Sequence, residues 1–199
     1  MSPCPVTTER LLVRPFSEDD VDRLLGLDND PEVMRFLNGG RPTTREAVKA
    51  ETLPPLLHRY PCIDNRGFWA AEEKTTAEFL GWFEFRPLTD HDSTVVELGY
   101  RLAKAAWGRG FATEGSRALI RKGFTEFGVQ RVTANTMTVN ARSRRVLEKS
   151  GLTYVRTFFE EWPDLIEGSE SGDVEYALTR SDWESRATAT EPSGRRSHP

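Results

Sequence analysis

Cysteine is nearly missing from this chain. Only Cys4 and Cys62 occur in 199 residues, one in a proline-rich leader and one in an expected loop. They give neither a metal-binding spacing nor a disulfide framework, which fits a reducing, cytoplasmic setting. Long apolar runs are also absent. None approaches the roughly 18 residues of a membrane-spanning helix, and the N-terminus lacks the charged-then-apolar pattern of a signal peptide. No excess of basic charge exists: 27 Lys and Arg against 31 Asp and Glu leave −4 at pH 7. The total therefore does not favour a nucleic-acid-binding surface. The three histidines, His58, His91 and His198, have no convincing partner in the sequence, so neither histidine catalysis nor a metal site is expected.

What is present reads as one globular domain. The hydrophobic share is 37%, with 5 Trp and 11 Phe, and the length suits a single core. Residues 1–6 are expected to be a leader, 7–186 the domain, and 187–199 a polar, disordered tail. A strand is expected over Thr8 to Phe16. Helical pieces follow across 17–60, capped at Ser17, Asp30 and Thr43 or Thr44, with Gly39-Gly40 and Pro54-Pro55 as breaks. Strands at 67–72 and 77–85 form an expected hairpin, and 95–102 is a further strand. A helix is expected over 108–127, a strand over 130–139 and a helix from Asn140 to Gly151. Strands at 152–162 and 174–178 flank an acidic loop, and a short helix at 180–186 closes the domain. The order predicts an α/β (α+β) mixed sheet with helices on both faces.

The richest stretch is Trp107-Gly-Arg-Gly-Phe-Ala-Thr-Glu-Gly115. It joins an apolar strand to a helix-periodic run. Glycines there let backbone N–H groups converge on one point, and the helix behind adds its positive end and unpaired donors. Arg109 adds a guanidinium suited to phosphate. The stretch predicts a pyrophosphate cradle. No Gly-Lys-Ser/Thr closes it, so it is not a P-loop. Thr113 stands where a dinucleotide fingerprint needs its third glycine. A second signal is Asn140-Ala-Arg-Ser143-Arg-Arg-Val-Leu-Glu-Lys-Ser-Gly151. Asn140 is a natural N-cap at a strand end, Ser143 lies one turn on, and Gly151 stops the helix.

In this order and separation, the two motifs resemble the GNAT superfamily of acyl-CoA-dependent N-acetyltransferases. They look closest to its RimJ/RimL-like branch, and the likeness spans roughly 7–184. The resemblance implies a mostly antiparallel sheet in which strands 95–102 and 130–139 splay apart around acetyl-CoA. It implies cofactor contacts at Leu102, Gly108, Arg109, Gly110, Phe111, Ala112 and Thr113. It also places Asn140 on the pantetheine arm and Ser143 as proton donor to the leaving thiolate. Trp107 departs from the family's usual Gln/Arg. The implied acceptor is a small-molecule amine or a protein N-terminus.

Amine attack on a thioester needs positioning, a base, an oxyanion donor and an acid for sulfur. The resemblance points to the strand near Leu98–Arg101 for the oxyanion donor. Glu97, an acid amid apolar strand residues, is the first candidate base, and a structural ion pair with Arg101 or Arg86 is its alternative reading. Glu84 is the second candidate. Glu114 suits the helix dipole better than catalysis. Tyr154 is a lesser proton-donor candidate. Trp69, Trp82, Phe83 and Phe85 read as core before they read as an acceptor pocket. The acids Glu160, Glu161, Asp164, Glu167, Glu170 and Asp173 either border an acceptor entrance or form a solvated loop. The apolar Phe158-Phe159 strand either pairs a homodimer or packs in the core. Two other functions compete: a catalytically silent acyl-CoA-binding regulatory module, and a nucleotide-binding domain of another class. The missing Lys and the 140–151 motif oppose the second of these.

Overall fold

The structure, a computed structural model, describes residues 6–159 and 166–189. The chain enters through β1 (Val6–Thr7) and β2 (Leu11–Pro15). Val6 is buried and paired with Val13, so it belongs to the sheet and not to a leader. Residues 1–5 lie outside the described part. The helical segment follows as α1 (Val21–Asp28), α2 (Pro31–Asn38), and a run of α3 (Arg45–Ala47), a π-turn over Val48–Thr52 and α4 (Leu53–Leu57). Asp30 caps α2 by accepting from the Glu32 N–H, and Thr44 caps α3 by accepting from the Ala47 N–H. Pro54 and Pro55 do not break the helix, because they fall in the first turn of α4, where backbone N–H groups need no partner.

A small ladder of β3 (Arg59–Tyr60) and β4 (Asn65–Arg66), which the sequence pattern did not reveal, precedes the main strands. These are β5 (Phe68–Glu73), β6 (Phe79–Thr89) and β7 (Asp92–Leu102). β6 and β7 run longer than expected and form one hairpin around Asp90-His91. Pro87 hides this in the sequence; it is tolerated because the register shifts between Pro87 and Thr89. Then come α5 (Phe111–Glu126), β8 (Arg131–Met137), α6 (Ala141–Lys149), β9 (Thr153–Phe158), β10 (Asp173–Thr179) and α7 (Arg180–Ala189). The helix α7 continues three residues into the expected tail, whose remainder, 190–199, lies outside the described residues.

The sheet order is β1-β2-β5-β6-β7-β8-β10-β9. Every neighbour is antiparallel except β7 and β8, which α5 connects. Alternation along the strands feeds two cores. Phe83, Phe85, Val96 and Leu98 pack with Phe111, Leu119, Ile120, Phe124 and Leu147 on the face of α5 and α6. Ala70 and Trp82 pack with Val21, Leu24, Leu27, Val48, Leu53 and Leu56 on the face of α1 and α4. Gly115 and Gly123 bring α5 hard against the sheet: a Cβ there would lie 2.2 Å from Phe83 and 2.4 Å from Phe85. Among the described residues no helix is long and apolar enough to cross a membrane.

Candidate active site

The parallel junction is short. β7 and β8 pair only at Val95–Arg131, Val96–Val132 and Glu97–Thr133. The Gln130 N–H donates to the Thr94 carbonyl at 2.8 Å on one side, and the Thr133 hydroxyl donates to the Val96 carbonyl at 3.1 Å on the other. Beyond this point β7 continues to Leu102 beside β6, and β8 continues to Met137 beside β10. Their facing edges have no strand partner among the described residues. The sheet is split from Leu98 and Ala134 onward, as the resemblance implied.

On the α1 face of the split runs a row of polar side chains. The β6–β7 register sets Arg86 opposite Glu97, Glu84 opposite Gly99, and Trp82 opposite Arg101. Arg86 joins the two carboxylates, with Nε 2.5 Å from Glu84 Oε1 and Nη2 2.5 Å from Glu97 Oε2. Glu84 is the deeper member. Burial first, and the Glu97 charge second, push its carboxyl from 4.5 up to about 7, against the pull of Arg86. Gly99 makes the room: a Cβ there would stand 2.7 Å from Glu84 Oε2. Glu97 thus has the Arg86 ion pair that was its alternative reading, and the carboxyl in the useful range for a base is Glu84, the second candidate.

On the α5 face of the same strand, Tyr100 reaches across to α6. Its hydroxyl donates to the Ser143 carbonyl at 3.1 Å and shares a hydrogen bond with Ser143 Oγ at 3.0 Å. Asn140 Oδ1 accepts from the Ser143 N–H at 3.1 Å, the N-cap its sequence position promised. Burial pushes the Tyr100 phenol up to about 12, with the Ser143 hydrogen bond acting against it.

The end of β7 leads into the glycine turn. Trp107 Nε1 donates to the Leu102 carbonyl at 2.8 Å and fastens the turn to the strand. Gly108 (φ 72°) and Gly110 (φ 85°) both take the left-handed conformation, which explains why α5 starts at Phe111 and not at 108. The first helical bond is Glu114 N–H to the Gly110 carbonyl, at 3.0 Å. The N–H groups of Phe111, Ala112 and Thr113 therefore precede it at the positive end of a 16-residue helix. Such a cradle fits a pyrophosphate.

Two guanidinium groups flank the cradle. Arg109 pairs with Glu73 at 2.9 Å and lies 4.7 Å from the Phe111 ring. Arg10, which sequence reasoning missed, lies 4.5 Å from the same ring and donates to the Arg109 carbonyl at 2.9 Å. Only the fold brings residue 10 to residue 109. Glu114 fastens the β1–β2 turn and Arg10 to the start of α5: it accepts from Thr8 Oγ1 at 2.5 Å, Arg10 N–H at 3.0 Å and Arg10 Nε at 2.7 Å. Burial would raise its carboxyl, but these donors outweigh burial and hold it below the usual range. Its position matches the structural reading.

Other candidates fall elsewhere. Tyr154 lies exposed on the edge strand β9, its hydroxyl shared with Thr157 at 2.9 Å. Trp69, Phe83 and Phe85 are core, and so is Trp82, which packs in the α1-side core while its register sets it opposite Arg101. His58 does have a partner, Asp90 Oδ1 at 3.0 Å, and His198 lies outside the described residues. Of the acidic loop, Glu160, Glu161 and Asp164 also lie outside them. Glu167 pairs with Arg35 at 3.1 Å, and Asp173 is buried.

A donor bearing a pyrophosphate, held at the turn and running into the split, would meet a carboxylate on one face and a hydroxyl pair on the other. That arrangement suits transfer of a group from such a donor. The family profile described as "Acetyltransferase (GNAT) domain" matches residues 10–153, and the chain belongs to that family. Its reaction is transfer of an acetyl group from acetyl-CoA to an amine. A relative from Aspergillus fumigatus, FsC-acetyl coenzyme A-N(2)-transacetylase, is 35% identical over 88% of this chain and 76% of its own length. Among solved structures, spermidine N-acetyltransferase from Vibrio cholerae, in complex with CoA and spermine, is similar with a TM-score of 0.71 at 16% identity. It covers 89% of this chain and 99% of its own. RimL, a ribosomal alpha-N-protein acetyltransferase in complex with coenzyme A, is similar with a TM-score of 0.74 at 16% identity, covering 90% and 99%.

Proposed function

We propose that this enzyme acetylates a primary α-type amine, on a small molecule or a protein N-terminus, and that its acid-base groups are Glu84 and Ser143. The observation that carries the reading is the placement of Glu84, opposite Gly99 of β7, and of Ser143, hydrogen-bonded to Tyr100 of β7, on opposite faces of the sheet at the split. Acetyl-CoA supplies an acetyl group already activated as a thioester. The N–H groups of Phe111, Ala112 and Thr113, with Gly108, Gly110 and Arg109 shaping the turn, hold its pyrophosphate. Leu102 and Asn140 border the path from the turn into the split.

Glu84 accepts the proton of the attacking amine. With a pKa of about 7 it is half-ionised near neutral pH, the condition in which a base is both present and effective. Glu97 acts with it: it adds charge that raises Glu84 and holds Arg86, which keeps the Glu84 carboxylate in place. Ser143 returns a proton to the departing sulfur, and Tyr100 orients its hydroxyl.

The N(2) in the name of the A. fumigatus relative and the RimL likeness support an amine of α type, and the RimL likeness supports a place near the RimJ/RimL branch. We place the enzyme in the cytoplasm on its low cysteine content. A homodimer would use the exposed edge β9, where Tyr154 and Val155 face solvent; light scattering measures that mass. The primary test is a melting curve with acetyl-CoA, CoA, ATP and NADH. Acetyl-CoA and CoA at 100 times Kd should each stabilise by about 2.7 kcal/mol, and ATP and NADH should not. A shift with ATP or NADH alone would overturn the reading.

A further inference from the structure

We propose that the acceptor carries a neutral carbonyl oxygen a few bonds from its amine, as an α-amino amide or ester does, and that Trp82 and Arg101 bind that oxygen. The inference rests on Glu84 as the base and names what lies beside the amine.

The sheet register puts Trp82 and Arg101 directly opposite each other, one step along the ladder from Glu84 and Gly99 and on the same face. The Arg101 guanidinium carbon lies 4.9 Å from the Trp82 ring. Trp82 is only 9% exposed. The indole Nε1–H and the Arg101 Nε–H are both buried, and neither has a hydrogen-bond partner among the described residues. Buried donors are almost always satisfied, because an unmade hydrogen bond costs more than a made one returns. The core cluster to which Trp82 belongs, with Phe16, Val21, Leu24 and Leu27, is built of apolar side chains that carry no hydrogen-bond acceptor. Two idle donors, one on a guanidinium stacked 4.9 Å from the indole that carries the other, on the same face as a base, mark the place of an oxygen brought by the ligand.

Charge selects the kind of oxygen. Arg101 Nη1 donates to Asp28 Oδ1 at 2.6 Å, and the Asp28 side chain is 4% exposed. The cation is therefore already neutralised, and a carboxylate would add an uncompensated charge to this face. A carbonyl accepts both N–H groups without one. Distance sets the spacing. Side chains two residues apart on one face of a strand stand about 7 Å apart, so an amine at Glu84 and an oxygen at Trp82 and Arg101 belong to one short unit. Past the same ends of β6 and β7, a cavity of about 200 Å³ lined by Arg23, Gly26, Leu27, Asp30, Phe79 and Ala103 leaves room for a substituent beyond the carbonyl.

The test compares L-alaninamide, L-alanine and propylamine as acceptors at saturating acetyl-CoA, read by CoA release. L-alaninamide should exceed both others at least tenfold in kcat/KM. In Trp82→Phe and Arg101→Lys its advantage over propylamine should collapse toward one, with CoA affinity by calorimetry confirming that the variants fold. A second readout needs no turnover. The indole N–H resonance of Trp82, assigned by its loss in Trp82→Phe, should move downfield when L-alaninamide is added to the CoA-bound protein, and not with propylamine. Equal use of the amide and propylamine, preference for L-alanine, or an unmoved Trp82 resonance would overturn the inference. A shifted resonance without CoA release from any amine would keep the oxygen site and overturn the roles given to Glu84 and Ser143.

Discussion

Glu84 and Glu97 sit on adjacent strands, share one arginine, and differ in depth. That difference separates their roles. Replacing Glu84 by Gln removes the proton acceptor and leaves the cradle intact; kcat should fall about 100-fold or more, with the KM for acetyl-CoA unchanged. Replacing Glu97 by Gln should act through Glu84 instead. It removes the charge that helps raise Glu84 and frees Arg86 to pair with Glu84 alone, and both effects lower the Glu84 pKa. The acidic limb of the kcat–pH profile, set near 7 in the parent enzyme, should therefore move to lower pH in Glu97→Gln. An unmoved limb would dissociate Glu84 from the reaction.

At the scale of single elements, two glycines do different work. Gly99 lies in the middle of β7, where glycine weakens a strand, and it leaves the notch that the Glu84 carboxylate fills. Gly99→Ala would put a Cβ 2.7 Å from that oxygen. The carboxylate must shift, so kcat should drop at least tenfold while CoA affinity, measured by calorimetry, stays put. Gly110 holds φ at 85° ahead of α5. Gly110→Val should strain the turn by about 1–2 kcal/mol and weaken CoA binding roughly tenfold, with less effect on the turnover of bound substrate. The glycine turn and the Asn140 cap were legible in the sequence because both are local: residue type and spacing decide them. Glu84 could be listed but not ranked above Glu97, since its depth depends on Gly99 across the ladder and on the Arg86 bridge. Arg10, nearly a hundred residues from the turn it flanks, and the idle donors of Trp82 and Arg101 left no local signature. The β6–β7 hairpin was obscured by one proline that a bulge absorbs.

Over the whole molecule, two buried carboxyls pull stability in opposite directions with pH. Asp20 sits between the sheet and α1, held by Arg14 at 2.8 Å and Arg23 at 3.0 Å. Burial would raise it, but Arg14, the Ser17 backbone N–H and Arg23 bring it down from 3.8 to about 2. Its contribution is full above pH 4 and is lost as pH falls through 2. Asp20→Asn should cost on the order of 2 kcal/mol at pH 7 and nothing below pH 2, read from melting curves across pH. Glu84 has the opposite sign. Its folded pKa is the higher one, so ionising it opposes folding, and stability declines from about pH 4.5 to 7. Glu84→Gln should therefore melt higher than the parent at pH 8, by up to about 3 kcal/mol, and match it at pH 4. An enzyme that loses its turnover and gains stability by one substitution would show that the base is kept at a cost to the fold.

The three residue pairs joining β7 to β8 have a further consequence. The sheet resembles a book with most of its spine cut: five strands make one leaf, and β8, β10 and β9 make the other. A CoA lying in the cut touches both leaves and stitches them together. Backbone amides of β8 and β10 should then exchange with deuterated solvent through a shared opening of the thin leaf, and CoA should slow that exchange more than it slows exchange in β5 or β6.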